Sequence, residues 1–217
     1  MRMSKLLLPL VLLIGAIHAP AFAQAVPDVK LPPSPPGQAA AQVGGTWSKG
    51  QDGGPQYTGG KWITVDYSRP LLRGRPNIFG SGAEYGKTVS GGGPVWRAGA
   101  NATTRLTTQV PLVIAGKNVA PGVYSVLVEL REGAWTLILS SQPVQDKFDP
   151  NDKVKLSGST NYDPKFDVLR APMTVTSNAQ QTIEQFTISF IAVSERALTL
   201  RMEWDQTVAT AAITLGT

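Results

Sequence analysis

Ten residues read Arg196-Ala-Leu-Thr-Leu-Arg-Met-Glu-Trp-Asp205, and from Leu198 onward their apolar and polar side chains strictly alternate. A period of two is typical of a β-strand that buries one face and exposes the other. The apolar face would hold Leu198, Leu200, Met202 and Trp204, and the polar face Thr199, Arg201, Glu203 and Asp205. The stretch therefore predicts a strand on the surface of a β-structured core.

The same alternation recurs along the chain from Lys61 onward. Phe186–Phe190 and Tyr124–Leu130 show it clearly, and Glu132-Gly133 predicts a hairpin turn from the second of these into 134–139. Further strands are predicted at 62–68, 102–110, 168–176 and 208–215. No stretch keeps a helical period over three turns. About eight strands without helices between them predict an all-β fold, either an antiparallel β-sandwich or a flattened barrel.

Two segments with different compositions precede these strands. Residues 1–23 combine the basic Arg2 and Lys5, an apolar run and the small-x-small pattern Ala21-Phe-Ala23, which together predict a secretory signal peptide cleaved before Gln24. Residues 24–60 are rich in Pro and Gly, which predicts a mobile linker. The β-sandwich domain is then expected to span 61–217, and the protein to be periplasmic or secreted.

Composition excludes several classes of function. The single histidine, His18, lies inside the predicted signal peptide, and the chain has no cysteine. A Ser-His-Asp or Cys-His catalytic set and a zinc site with His or Cys ligands are therefore excluded, and no cofactor or metal is expected. The formal charge falls from +5 to +3 without Arg2 and Lys5. No basic run interleaved with aromatics indicates nucleic-acid binding, and no second apolar stretch predicts a membrane span.

The best functional candidate is Trp96-Arg97-Ala-Gly-Ala-Asn101. Arg97 offers a planar fork of donors for a carboxylate or phosphate, Trp96 an aromatic face, and Asn101 a donor and an acceptor. The structural alternative is that the Trp96 side chain is buried between the two sheets and that Arg97 forms an ion pair with Asp66 or Glu203. We expect that ion pair, because a charged residue in an apolar block needs a counter-charge or solvent.

Other charged residues extend this candidate site. Asp66, Arg69 and Arg75 surround a proline corner, where they would form either one wall of an anion pocket or a solvated set of salt bridges. Glu203 and Asp205 lie two apart on one face of a strand and could act together in glycoside hydrolysis, although Arg201 on the same face offers a simpler role in neutralisation. The predicted ligand-binding residues are thus Asp66, Arg69, Arg75, Trp96, Arg97, Asn101 and Glu203.

Several blocks carry a family resemblance: Val65–Pro70, Arg73–Arg75, Tyr85–Lys87, Val95–Asn101, Pro121–Ser125, Trp135–Ile138 and Leu200–Trp204. In this order and spacing, over about residues 61–215, the chain resembles an exported bacterial family known as domain of unknown function 2911. The resemblance implies an extracytoplasmic, mostly β domain and no established reaction. Thr88–Pro94 departs from the family pattern as a Gly-rich insertion.

Three functions stay open at this point. The first is a non-enzymatic exported protein that binds a small polar or anionic ligand, or a cell-envelope partner, through the Trp96–Asn101 region. The second is a hydrolase of envelope glycans that uses Asp66 or Glu203. The third is a structural envelope domain without a ligand.

Overall fold

The computed structural model of the protein describes residues 29–217. The predicted signal peptide, its cleavage before Gln24 and His18 lie outside these residues. Contacts divide the chain into two units, Met1–Lys30 and Leu31–Thr217, and the fold that follows is that of the second. None of the helices in the described part of the chain is long and apolar enough to span a membrane.

The part of the chain from residue 29 onward is dominated by strands. In chain order the elements are β1 (Pro36–Val43), β2 (Thr46–Lys49), β3 (Pro55–Thr58), β4 (Lys61–Ser68), a 3-10 turn (Gly82–Glu84), α1 (Lys87–Ser90), β5 (Arg105–Thr108), β6 (Leu112–Ile114), β7 (Lys117–Val119), β8 (Gly122–Glu129), β9 (Thr136–Ser140), a second 3-10 turn (Pro164–Phe166), β10 (Asp167–Pro172), β11 (Thr174–Ser177), β12 (Ile183–Ile191), β13 (Ala197–Asp205) and β14 (Thr207–Leu215).

Two sheets pack face to face as an antiparallel β-sandwich, which confirms the predicted fold class. The first sheet has the order β1-β4-β5-β8-β9-β10, and the second the order β12-β13-β14-β6-β7, with β11 paired to β14. Within residues 29–217 the sheets do not close into the flattened barrel that was the alternative. The alternation in β13 is as predicted, because Leu198, Leu200, Met202 and Trp204 are all buried.

Large aromatic side chains fill the space between the sheets. The Trp96 ring stacks on Trp204 with centroids 6.3 Å apart and meets Phe186 edge-on at 4.9 Å. Phe79 and Trp135 join the same group at 4.8 Å from each other. We call these five residues the aromatic cluster. Burying each large side chain contributes about 1.5–3 kcal/mol, so the cluster is a major source of stability.

The segment predicted as a linker contains part of the sandwich, so the predicted boundary at residue 61 is wrong. β1 pairs with β4 along its whole length, and Ala39, Ala41 and Val43 face the core. β2 and β3 form a separate two-stranded hairpin. The small alanines of β1 fit at the edge of the sheet. Together with the neighbouring prolines and glycines, however, they have the composition expected of a linker.

The chain crosses between the sheets directly after β4. Leu72 N donates to Glu184 O at 2.8 Å, and Phe186 N donates to Pro70 O at 2.9 Å, so residues 70–72 pair with the start of β12. The Tyr67 hydroxyl reinforces the junction, because it donates to Ile188 O at 3.1 Å and accepts from Ile188 N at 2.9 Å. The crossing places the following residues, 73–79, beside the aromatic cluster.

The long loop 141–164 packs on the outer face of the first sheet. Leu156 meets Val95, Leu127 and Ile138 in a second, small apolar core. The buried Gln142 fastens the loop, because its Nε2 donates to the carbonyls of Val154 and Asn161, both at 2.7 Å. β8 and β9 are therefore covered on both faces.

A polar group borders this second core. The Tyr162 hydroxyl donates to Asp167 Oδ2 at 2.7 Å and accepts from Arg170 Nη1 at 3.1 Å, while Arg170 also pairs with Glu129. Burial, together with the hydrogen bond to the Asp167 carboxylate, raises the pKa of Tyr162 above its ordinary value. The phenol is therefore held in its neutral form.

Candidate functional site

A cleft of about 370 Å³ lies where the loops 69–79 and 87–101 meet. Its charged and polar side chains are those of Ser34, Arg75, Thr88, Arg97 and Asn101, and Trp96 and Trp204 lie at its floor. We call it the arginine cleft. It brings together four of the seven predicted site residues, namely Arg75, Trp96, Arg97 and Asn101.

Trp96 has a structural role in this cleft. Its backbone exchanges two hydrogen bonds of 2.8 Å with Val128 and so extends the first sheet beside β8. Its ring is only 1% exposed, and its Nε1 donates to Gly99 O at 3.0 Å. The indole face therefore packs against other aromatic rings, as in the structural alternative considered for it, and is not free to stack on a ligand.

The loop 97–101 has an unusual backbone conformation, which fixes the position from which the Arg97 side chain extends. Ala98 and Asn101 have φ angles of 48° and 57°, and Gly99 has 153°. A Cβ on Gly99 would lie 2.8 Å from the carbonyl oxygen of Ser68, so only glycine fits this close approach. The loop is thereby pressed against the end of β4.

Arg97 reaches from the cleft to the long loop 141–164. Its Nη1 donates to Asn101 O at 2.7 Å, and its guanidinium lies over Gly158, where a Cβ would overlap it. Burial lowers the pKa of the Arg97 guanidinium. Among residues 29–217 no carboxylate lies within salt-bridge distance of it. Its charge therefore has no direct partner within the described residues.

The predicted ion pair of Arg97 with Asp66 or Glu203 is wrong. Asp66 alternates with buried residues of β4 and so points outward from the first sheet, where it accepts from Gln38 Nε2 at 2.7 Å. Glu203 points outward from the second sheet and pairs with Arg201 at 2.6 Å. The two carboxylates lie on opposite outer faces of the sandwich, so neither joins the cleft.

Arg69 also lies outside the arginine cleft. Its Nη2 donates to Thr187 Oγ1 at 3.4 Å, its side chain packs over Gly37, and its buried Nε has no hydrogen-bond partner. Of the residues predicted around the proline corner, Arg75 alone lines the cleft.

Backbone carbonyls hold the Arg75 side chain. Its Nε donates to Leu72 O at 2.9 Å and its Nη2 to Leu71 O at 2.7 Å. These contacts use two of the five guanidinium donors and neutralise no charge. No acidic side chain of the described residues forms a salt bridge with Arg75. Residues 29–217 thus supply the cleft with two cations and no anion.

Two carboxylates that the sequence did not single out as a pair hold the segment that carries Arg75. Glu184 Oε1 accepts from Arg73 N at 2.8 Å, and Asp205 Oδ2 accepts from Ile78 N at 3.2 Å. Both carboxylates line a neighbouring cleft of about 620 Å³ that Arg75 also borders. They lie far apart in the sequence, so no motif could have joined them.

Other cleft residues were also missed by sequence reasoning. Ser34 lies in the predicted linker, and Thr88 lies in the Gly-rich insertion of residues 88–94, whose start forms α1. Ser34 was missed because the composition around it predicted a linker. For Thr88 the departure from the family pattern was the only signal in the sequence.

Comparison with known proteins agrees with the resemblance seen in the sequence. The model of the family described as "Protein of unknown function (DUF2911)" matches residues 52–213. Neither the curated proteins nor the solved structures gave a significant match. The matched range contains the cleft segments 70–79 and 88–101 and most of the sandwich. The chain therefore belongs to the family of domain of unknown function 2911.

Proposed function

We propose that the protein is an exported, non-enzymatic β-sandwich that binds a small anionic ligand in the arginine cleft. One observation carries the proposal: Arg75 and Arg97 line the same cleft, and no described carboxylate lies within salt-bridge distance of either. Arg97 is half-buried and Arg75 is exposed, and two guanidinium groups in one cleft without a counter-charge among the described residues favour an anion between them.

The chemistry of the lining indicates a carboxylate or phosphate group. Each guanidinium keeps donors that no atom of residues 29–217 uses, and arginine forks match the paired oxygens of these anions. The Thr88 hydroxyl and the Asn101 amide add neutral hydrogen-bonding groups. A volume of about 370 Å³ suits a small molecule.

Burial of Arg97 gives a further reason to expect an anion. Desolvation lowers the pKa of its guanidinium, which means that the charged form is disfavoured where it lies. A bound anion would stabilise that charged form. Because Arg97 also contacts Gly158, the same event would tighten the loop 141–164 against the sheet.

The rest of the proposal comes from the sequence. The signal-peptide pattern of residues 1–23 supports export to the periplasm or the medium. The lack of histidine and cysteine after residue 23 supports binding rather than catalysis. The hydrolase alternative relied on Asp66 or Glu203, but Asp66 lies on the opposite outer face of the sandwich and Glu203 is paired with Arg201. Asp205, the second carboxylate predicted on the face of Glu203, accepts from Ile78 N at 3.2 Å.

Thermal unfolding in the presence of phosphate, sulfate, acetate and citrate tests the proposal. Ligand at about one hundred times its Kd stabilises a fold by about 2.7 kcal/mol, which corresponds to a rise in Tm of roughly 5–10 °C for a domain of this size. We expect such a rise in the parent protein with at least one of these anions.

Arginine variants locate the response. Arg97→Gln and Arg75→Gln should each remove most of the shift in Tm. Arg105→Gln is the matched control, because Arg105 is an exposed arginine of β5 that does not line the cleft. The proposal fails if no anion raises Tm, or if the response survives in both cleft variants.

A further inference from the structure

A second potential site lies beside the β2–β3 hairpin. Trp47 on β2 is 62% exposed, and its ring lies 5.0 Å from that of Tyr57 on β3 with the planes tilted by 49°. The two rings border a cleft of about 570 Å³, together with Gln42, Val193, Ser194 and Glu195. We call it the Trp47–Tyr57 cleft. It shares no lining residue with the arginine cleft.

The two sides of this cleft are held in place by hydrogen bonds. Gly45 N donates to the Tyr57 hydroxyl at 2.8 Å, and the Tyr57 ring packs so closely against Gly45 that a Cβ there would overlap it. Gly44 N donates to Glu195 O at 3.0 Å, which ties the turn after β12 to the base of the hairpin. The walls of the cleft are therefore fixed by the protein's own hydrogen bonds, so the site is pre-formed.

Two acceptor groups of the cleft receive no hydrogen bond from a side chain of the described residues. The Ser194 hydroxyl is used, because it donates to Ala197 O and accepts from Ala197 N, both at 3.1 Å. The Gln42 amide nitrogen donates to Gly60 O at 3.2 Å. The two acceptors are the Gln42 carbonyl oxygen and the Glu195 carboxylate, for which no described residue supplies a side-chain donor.

The charge of the cleft has one sign. Of the described residues that line it, Glu195 alone is ionised. Lys49, the nearest lysine along β2, directs its side chain toward the hairpin turn, where its Cε lies 3.6 Å from the position of a Cβ on Gly53. Two electron-rich ring faces and one unpaired carboxylate attract a cation.

We propose that the Trp47–Tyr57 cleft binds an organic cation of the quaternary ammonium class. Such a group has methyl groups that pack on the rings, a positive charge that the ring faces and Glu195 stabilise, and no need for the hydrogen-bond acceptors of a protein. A neutral sugar is less suited, because it carries no positive charge for the ring faces and Glu195 to stabilise.

Titration of the full chain with choline, followed by ligand-observed NMR, tests the assignment. We expect saturable choline binding and at least about tenfold weaker binding of the neutral isostere 3,3-dimethyl-1-butanol, which has the same shape without the charge. Trp47→Ala should weaken choline binding by roughly 2- to 30-fold, the range that a cation–π contact contributes. Glu195→Gln should also weaken choline binding.

Phe148→Ala serves as the control, because Phe148 is as exposed as Trp47 and lies outside the cleft. Since Trp47 is exposed, its variant should unfold at the parent's urea concentration, so that lost binding reports on the site. The proposal is overturned by an absence of saturable choline binding, by equal affinity for the isostere or for methyl glucoside, or by an unchanged Kd in Trp47→Ala. None of these outcomes depends on anion binding at Arg75 and Arg97.

Discussion

Replacing Gly158 by alanine tests the contact that positions Arg97. Gly158 has a φ of 64°, and a Cβ there would overlap the Arg97 guanidinium. An L-residue in this left-handed conformation costs about 1–2 kcal/mol. The loop cannot retreat freely, because the buried Thr103 donates from Oγ1 to Gly158 O at 3.0 Å. The guanidinium, at the end of a flexible side chain, should therefore move.

Displacing the guanidinium breaks its hydrogen bond to Asn101 O. For a half-buried charged donor we expect this loss to cost about 1 kcal/mol, below the range for fully buried groups. Gly158→Ala should therefore destabilise the protein by about 2–3 kcal/mol in total. Gly133→Ala is the matched control. Gly133 has a φ of 72° and open space around the added Cβ, so that change carries the backbone cost alone.

Urea denaturation followed by tryptophan fluorescence gives the free energy of unfolding of both glycine variants. The same two changes made in Arg97→Ala complete a double-mutant cycle. Without Arg97, the excess cost of Gly158→Ala over Gly133→Ala should disappear. The reasoning is refuted if the two glycine variants are equally destabilised in the parent protein. It is equally refuted if the excess persists when Arg97 is absent.

Three further predictions follow from the packing. Arg97→Ala should lower the free energy of unfolding by only about 1 kcal/mol in urea, because no carboxylate is left unpaired; a loss of about 3–5 kcal/mol would reveal a buried ion pair. Val43 is buried in β1, so Val43→Ala should lower the free energy of unfolding by about 1–3 kcal/mol. Val29 is exposed, so Val29→Ala should lower it by less than about 0.5 kcal/mol. Equal effects in urea denaturation would contradict the place of β1 in the sheet. The contribution of Tyr162 to stability should be complete below its ordinary pKa of 10.0 and decline as the pH rises from there toward the raised pKa. Urea midpoints of Tyr162→Phe across that range should fall less steeply than those of the parent, and parallel curves would contradict the raised pKa.

Strong alternation made the fold predictable, and weak alternation hid part of it. In β13 large apolar residues contrast with charged ones, so the buried face could be assigned from sequence. In β1 the same alternation is carried by Gln38 and Gln42 against small alanines, and the contrast is too weak to identify a strand. Neighbouring prolines and glycines then led to the prediction of a linker.

Apart from Arg75, which the sequence predicted from the proline corner, the site was predictable where sequence neighbours lie together. Trp96, Arg97 and Asn101 share one loop, and the structure keeps them in one cleft. The partner of Arg97 could not be chosen by composition, although the alternation of β13 already placed Glu203 on the face opposite Trp204. The contact with Gly158 joins residues about sixty positions apart, and a single sequence contains no signal for it.

The aromatic cluster has a consequence for the order of folding. Trp96 stacks on Trp204, and Tyr67 bonds to Ile188 across 121 positions of the chain, so the core is built from long-range contacts. Domains with this topology fold slowly, in milliseconds to seconds, because distant segments must meet before their contacts stabilise them. Trp96, in the first half of the chain, cannot be fully buried until Trp204 of β13 has emerged. A nascent chain therefore exposes a large apolar surface during synthesis, and it needs either rapid completion or a chaperone to avoid aggregation.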